Sequence, residues 1–264
     1  MIRRADAKVY AMGSVVALPA LLVAPLGSLA ADASGDWHYG ATLYLWGAGI
    51  QGETASGAEV DVGFDTLISN LDMAFMGAFE ARRDRWSFGA DLVYLDVRAN
   101  ESGEVPVRLA SGATGNVNVA AGVATTGWVF NLSGAFNLVR TERANLDLIL
   151  GARYLDLELD FDLDLAAAQY AVTSGIIATQ VTWDGVVGVK GRVLLDEPWY
   201  LPYYFDVGAG ESDLTWQVAS GLGYAFDWGD VTLLYRHIGW EFGSDSALDN
   251  IAFSGPLLGG TWRF

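Results

Sequence analysis

His38 and His237 are the only imidazoles in this 264-residue chain, and it contains no cysteine. Hydrolytic chemistry on serine needs an imidazole beside the nucleophile and an acid to orient it. His237 lies in Arg236-His237-Ile238-Gly239 with no serine beside it in the sequence, and His38 starts the first predicted strand. The chain therefore reads as a non-enzyme whose histidines sit at a rim or a lipid boundary. Thiolate metal sites and disulfides are excluded. The glycine-rich pieces GAGIQG and GPLLGG precede no predicted helix and carry no Gly-Lys-Ser/Thr, so they are not phosphate loops. No cofactor is implied.

Carboxylates are plentiful, and two groups have a pattern. Residues 155–165 read LDLELDFDLDL. On a strand, Asp156, Glu158, Asp160, Asp162 and Asp164 share one face, and Leu155, Leu157, Leu159, Phe161, Leu163 and Leu165 share the other. Clustered carboxylate oxygens suit Ca²⁺ or Mg²⁺, but no EF-hand loop is present. The plainer reading is a solvated face on an external hairpin. The second group is Glu80, Asp91, Asp147, Arg153, Asp184, Lys190, Arg192, Asp206 and Arg236. Each falls on the polar side of an alternating stretch. Buried charges must pair or be hydrated. With five acids and four bases the group reads as a self-neutralising network. That network would plug a barrel of structural or surface-interaction character; the alternative is a narrow porin-like channel for small solutes or hydrophobic compounds, although a selective pore favours rings of one sign and this group forms none.

The elements that hold these residues follow from composition and period. Apolar residues make up 52% and charged residues 18%, against ~25% charged in a soluble domain. Mean hydropathy is +0.27, yet only the N-terminus has a run apolar enough for a helical span. A membrane chain without internal apolar helices is left with a closed β-barrel. The net charge of −17 opposes nucleic acid. Residues 1–30 read as a signal peptide: Arg3, Arg4 and Lys8, then apolar Val15 to Leu26, then Ser28-Leu29-Ala30. The mature chain is expected to be residues 31–264.

Ten alternating segments follow. They run Trp37 to Trp46, Leu71 to Ala81, Trp86 to Tyr94, a stretch ending at Leu138, Leu146 to Tyr154, Val181 to Leu195, Trp199 to Val207, Trp216 to Phe226, Val231 to Arg236, and a last one ending at Phe264. Alternation over about ten residues is the signature of a transmembrane barrel strand. Polar turns after every second strand are short, and the connections after strands one, three and five are long. This predicts an all-β, antiparallel up-and-down barrel with long loops outside. Residues 113–125 leave room for another crossing, so eight or twelve strands stay open beside ten. Trp37, Trp86, Tyr94, Tyr154, Trp183, Trp199, Trp216, Phe226 and Trp262 sit where interfacial girdles would lie.

The chain ends in Thr261-Trp262-Arg263-Phe264, with Leu258, Gly260, Trp262 and Phe264 on one face. This resembles the closing strand of Gram-negative outer-membrane barrels, which the barrel-assembly machinery reads as a signal. The blocks LYLWGAGIQG, NLDMAFMGAFEARRDRWSFGADLVYLD, DEPWYLPYYFDVGAGESDLTWQ and GYAFDWGDVTLLYRH look like proteobacterial outer-membrane β-barrel proteins of unassigned function. In general plan the chain is similar to small barrels of the OmpA and OmpW class. The resemblance covers nearly all of residues 31–264. It implies an outer-membrane location, contact with membrane lipid and lipopolysaccharide, and no particular activity. Cations on the acidic ladder would then bridge to lipopolysaccharide phosphates.

Overall fold

The structure, a computed structural model, describes residues 35–264 apart from 55–56, 58, 64–70, 109–113, 168–169, 245 and 247. The expected signal peptide and its cleavage site lie outside the described residues. The regular elements described are strands: β1 (His38–Trp46), β2 (Gly49–Thr54), β3 (Glu59–Val62), β4 (Leu71–Arg83), β5 (Trp86–Arg108), β6 (Thr114–Arg140), β7 (Ala144–Ala167), β8 (Tyr170–Asp196), β9 (Trp199–Gly210), β10 (Leu214–Phe226), β11 (Gly229–Glu241) and β12 (Leu248–Arg263).

Ten of them, β1 and β4 to β12, are the staves of a closed antiparallel barrel. Closure joins first to last, from Gly40↔Arg263 to Trp46↔Leu257. The Tyr39 N–H donates to the Phe264 carbonyl at 2.8 Å, and the Phe264 N–H donates back at 3.0 Å. The expected count of ten is the observed one. Of the stretch 113–125 that left room for another crossing, residues 114–125 are described, and β6 runs unbroken through them.

Turn chemistry explains one end of the barrel. Two residues join β4 to β5, β8 to β9, and β10 to β11. Asp84 sits in the left-handed region at φ 52°, which a short polar side chain tolerates. The other end departs from the expectation. The stretches read as long loops after the third and fifth strands are mostly strand. β5 to β8 run 23 to 27 residues and the other staves 9 to 16. Two tall hairpins therefore rise above the rest. The first connection holds a further hairpin, β2–β3, whose β2 pairs with β12.

The outward face carries the apolar residues of the alternation, and Leu43, Phe88, Leu132, Leu150, Val187, Phe205, Leu222 and Leu258 stand exposed on it. Aromatic residues bracket that belt. Near the short turns, Trp86 packs with Phe88 and Phe136, and Tyr39 packs with Phe264. Higher up, Tyr94 meets Trp128, and Tyr154 meets Trp183. From Trp86 to Tyr94 the strand rises about 27 Å at ~3.4 Å per residue. Tilted by about 40°, that spans roughly 21 Å, close to the ~25 Å apolar band of such barrels.

Above the upper ring the two faces exchange chemistry. On β7 the outward positions run Leu146, Leu148, Leu150, Ala152, Tyr154 and then Asp156, Glu158, Asp160. The inward ones run Asp147, Ile149, Arg153 and then Leu155, Leu157, Leu159, the last three buried. Parity never changes along the strand. The lower barrel is apolar outside and charged inside. The upper barrel is acidic outside and closes on a core of Trp46, Ile50, Val97, Leu157, Ile238, Trp240 and Ile251.

Candidate functional site

Period-two alternation on neighbouring staves delivers charges to one interior. Glu80, Asp91, Asp147, Arg153, Asp184, Lys190, Arg192, Asp206 and Arg236 are all buried, and each points inward by parity. Three charges at the lower end that sequence reasoning had left in turns or unassigned join them: Arg82, Asp230 and Arg263.

Four of the pairs reach across the lumen between staves that are not neighbours. Lys190 Nζ on β8 donates to Glu80 Oε2 on β4 at 2.6 Å. Arg82 Nη2 donates to Asp147 Oδ2 on β7 at 2.5 Å, and its Nε to Glu80 Oε1 at 3.0 Å. These four form a lower tier, and Asn137 Nδ2 adds a bond to Asp147 at 2.5 Å. Above it, Arg153 Nη2 donates to both oxygens of Asp206, at 2.8 and 2.6 Å. Its Nε donates to Asn131 at 2.8 Å and its Nη1 to Thr215 at 2.9 Å. Arg236 Nη2 pairs with Asp91 at 2.7 Å, and Asp91 also accepts from the Tyr44 hydroxyl. Gln217 Oε1 accepts from Arg153 at 3.2 Å and from Arg236 at 3.1 Å, which ties the two upper pairs together. At the lower rim Arg263 pairs with Asp230.

Arg153 and Asp206 are both 0% exposed. Burying ions is unfavourable unless partners are close and the remaining donors are bonded. Arg153 meets that condition with bonds from all three nitrogens. Glycine gives the pair room: a Cβ on Gly188 would lie 2.6 Å from the Asp206 Cβ and 2.2 Å from the Phe205 carbonyl.

Two of the nine residues stay out of the ion pairing. Asp184 faces Arg153 across the β7–β8 ladder, but the guanidinium turns to Asp206, and Asp184 accepts instead from the Ser212 N–H at 2.9 Å. The Arg192 guanidinium lies over the Tyr200 ring, 4.9 Å from its centre. Among the described residues neither has an ion-pair partner.

The other singled-out residues are placed as follows. His38 opens β1 at the short-turn end. His237 faces outward, and the expectation that no serine adjoins it is corrected: pairing of β11 with β12 sets it opposite Ser254, with Nδ1 2.6 Å from the hydroxyl. Trp216 stacks on its ring at 4.3 Å. Among the described residues no carboxylate bonds the imidazole, the element that orients such a base. Asp156, Glu158 and Asp160 face outward above Tyr154, whose hydroxyl donates to Asp156 at 3.0 Å. The side chains of Asp162 and Asp164 lie outside the described residues. Among the described residues no metal cluster forms. Leu258, Gly260, Trp262 and Phe264 share the outward side of the closing strand, and Phe264 packs on Tyr39 and Phe79.

No protein-family model matches the chain, and no curated protein matches it. Among solved structures, the chain is similar to the translocator domain of the autotransporter NalP from Neisseria meningitidis, with 16% identity, 89% of this chain and 91% of that one covered, and a TM-score of 0.39. Against the P. putida toluene transporter TodX the values are 12%, 88%, 91% and 0.31. Against a Pseudomonas aeruginosa FadL homologue they are 11%, 86%, 90% and 0.24.

Proposed function

We propose that the chain is an outer-membrane β-barrel of structural or surface-presenting character, its lumen sealed by ion pairs. The short turns face the periplasm, and the tall β5–β8 hairpins stand outside among lipopolysaccharide headgroups. The apolar belt between two aromatic rings supports the membrane setting, because an outward apolar band flanked by aromatic girdles is the lipid-facing surface of a transmembrane barrel. The closing strand supports insertion by the barrel-assembly machinery.

The observation that carries the sealed lumen is the tiered network across it. Lys190–Glu80, Arg82–Asp147, Arg153–Asp206 and Arg236–Asp91 each bridge staves that are not neighbours. A ten-stranded lumen is little wider than one that side chains just fill. Bridging pairs at two levels place fixed side chains in the way of any ion crossing it. Planar-bilayer recording tests this. The wild type is expected to show no steady current, and Arg153→Ala with Lys190→Ala to open measurable steps. Large steady currents from the wild type would refute the sealed lumen.

A further inference from the structure

The barrel wall is unpaired on one side. The β1–β4 register runs from His38↔Arg82 to Leu43↔Gly77 and stops, although β1 continues to Trp46 and β4 begins at Leu71. The next rungs would be Tyr44↔Met76, Leu45↔Phe75 and Trp46↔Ala74. Instead the chain bends after Trp46 into β2, which pairs with β12 and β3. The Trp46 N–H, on the side facing β4, donates to Met76 Sδ at 3.2 Å, a weak acceptor in place of a ladder carbonyl. Ala74 has inward parity yet is exposed, and the neighbouring Leu45 is 74% exposed. Phe75 pairs with Tyr94 of the upper aromatic ring, so the slot opens at the outer edge of the apolar belt.

Behind the slot lies a cavity of about 180 Å³, lined by Trp46, Met76, Val129, Leu155, Leu157 and Phe253 among others. Thr125 brings the single hydroxyl among the described lining residues, and the Trp46 indole N–H is already bonded to the Gly255 carbonyl at 3.2 Å. A buried water needs two to four polar partners, and an apolar cavity of ~150 Å³ stays dry and accepts benzene. On the side of the ion-pair network, the Arg236 guanidinium lies 4.8 Å from the Trp46 ring centre. Farther from the network, Ile50 of β2 packs with Val97, Leu159 and Ile251 as buried core. The slot is the side on which the wall lacks a ladder.

We infer that this cavity binds a small apolar molecule of monocyclic-hydrocarbon size, exchanged with the membrane through the slot between β1 and β4. Its walls offer dispersion contacts and little hydrogen bonding, so polar solutes are rejected by unmet desolvation. Met76 at the mouth is unbranched and adapts to different shapes. The lateral route rests on the sealed lumen proposed above; the binding site does not.

Fluorobenzene serves as the probe, with the full chain refolded into phosphatidylcholine nanodiscs and followed by fluorine NMR. A protein-bound resonance is expected beside the lipid-dissolved one. It should be lost in Val129→Trp, whose indole fills the cavity, and in Ala74→Trp, which fills the slot; heat-modifiable gel mobility selects the folded variants. No bound resonance in the wild type, or one that survives in both folded variants, overturns the site. Proton contacts from lipid acyl chains to Trp46 with no bound fluorobenzene overturn it in favour of a lipid tail. For the route, Leu45→Cys with Phe75→Cys places two thiols on the outward face of a cysteine-free chain. A short bis-thiol crosslinker should slow exchange of bound probe and leave its population unchanged. Exchange indifferent to the staple overturns the lateral route while the site stands. If the staple-indifferent exchange comes with a steady wild-type current in planar bilayers, the route runs through the lumen and the sealed lumen falls with the lateral route.

Discussion

Removing the Arg153 guanidinium tests whether the lumen network holds the barrel together. Arg153→Ala leaves Asp206, 0% exposed, with the Tyr204 hydroxyl at 2.6 Å as its remaining side-chain donor among the described residues. Asn131 Oδ1 loses its partner, and Thr215 and Gln217 each keep one other contact. Breaking a buried ion pair from one side costs about 3–5 kcal/mol, because the surviving charge stays desolvated. The orphaned Asn131 carbonyl adds about 1 kcal/mol or more. The expected loss is therefore about 4–6 kcal/mol, measured by urea titration of refolding into lipid vesicles. Two controls separate charge from packing. Arg153→Ala with Asp206→Asn removes the stranded charge and should recover part of the loss. Arg153→Met with Asp206→Leu replaces the pair by apolar volume and should be near wild type, since such swaps are often neutral or stabilising. If both double variants lose as much as the two single changes added together, the pair is uncoupled and the reasoning is refuted.

The closing strand and the export segment give two further expectations. Deleting Phe264 removes the ring that packs on Tyr39 and Phe79 and the carbonyl that accepts the Tyr39 N–H; pulse-chase labelling should show slower insertion and more periplasmic degradation, and normal yield would count against it. Mass spectrometry of the membrane form should find Ala31 as the first residue, and an intact Met1 end would reject the cleavage site.

Much of the barrel was legible because a strand's period is two. Once a stretch alternates, each charge in it has a side, and the inward placement of Arg153, Lys190, Asp206 and Arg236 follows from local sequence. Partner choice does not. Arg153 faces Asp184 on the adjacent strand and bonds Asp206 two strands over, because barrel curvature brings side chains together across the lumen. Arg82 read as part of a polar turn for the same reason: its partner Asp147 lies 65 residues away. Ser254 meets His237 only through the register of a long hairpin, and sequence adjacency carries no trace of that. The sequence does carry one signal of the upper core. Arg153, Leu155, Leu157 and Leu159 share parity, so the leucines opposite the acidic ladder belong to the interior.

That change of chemistry on β7 supplies a test of where the lipid lies, with each position controlling the others. Leu150 faces outward below Tyr154 and is 73% exposed. In water, Leu150→Lys would be a surface change within ±0.5 kcal/mol. Against lipid at mid-belt it should cost about 2–4 kcal/mol. Glu158 also faces outward, four residues above the Tyr154 ring, and Glu158→Lys should fall within ±0.5 kcal/mol. Leu157 points into the upper core and is buried. Leu157→Lys loses its packing and strands a cation among Leu155, Leu159 and Trp46, at about 3–5 kcal/mol. The expected order of loss in vesicle refolding is Leu157, then Leu150, then Glu158. A soluble barrel would keep the first and last and lose the middle effect. Equal cost at Leu150 and Glu158 would place the membrane boundary away from Tyr154 and refute the belt drawn between the two aromatic rings.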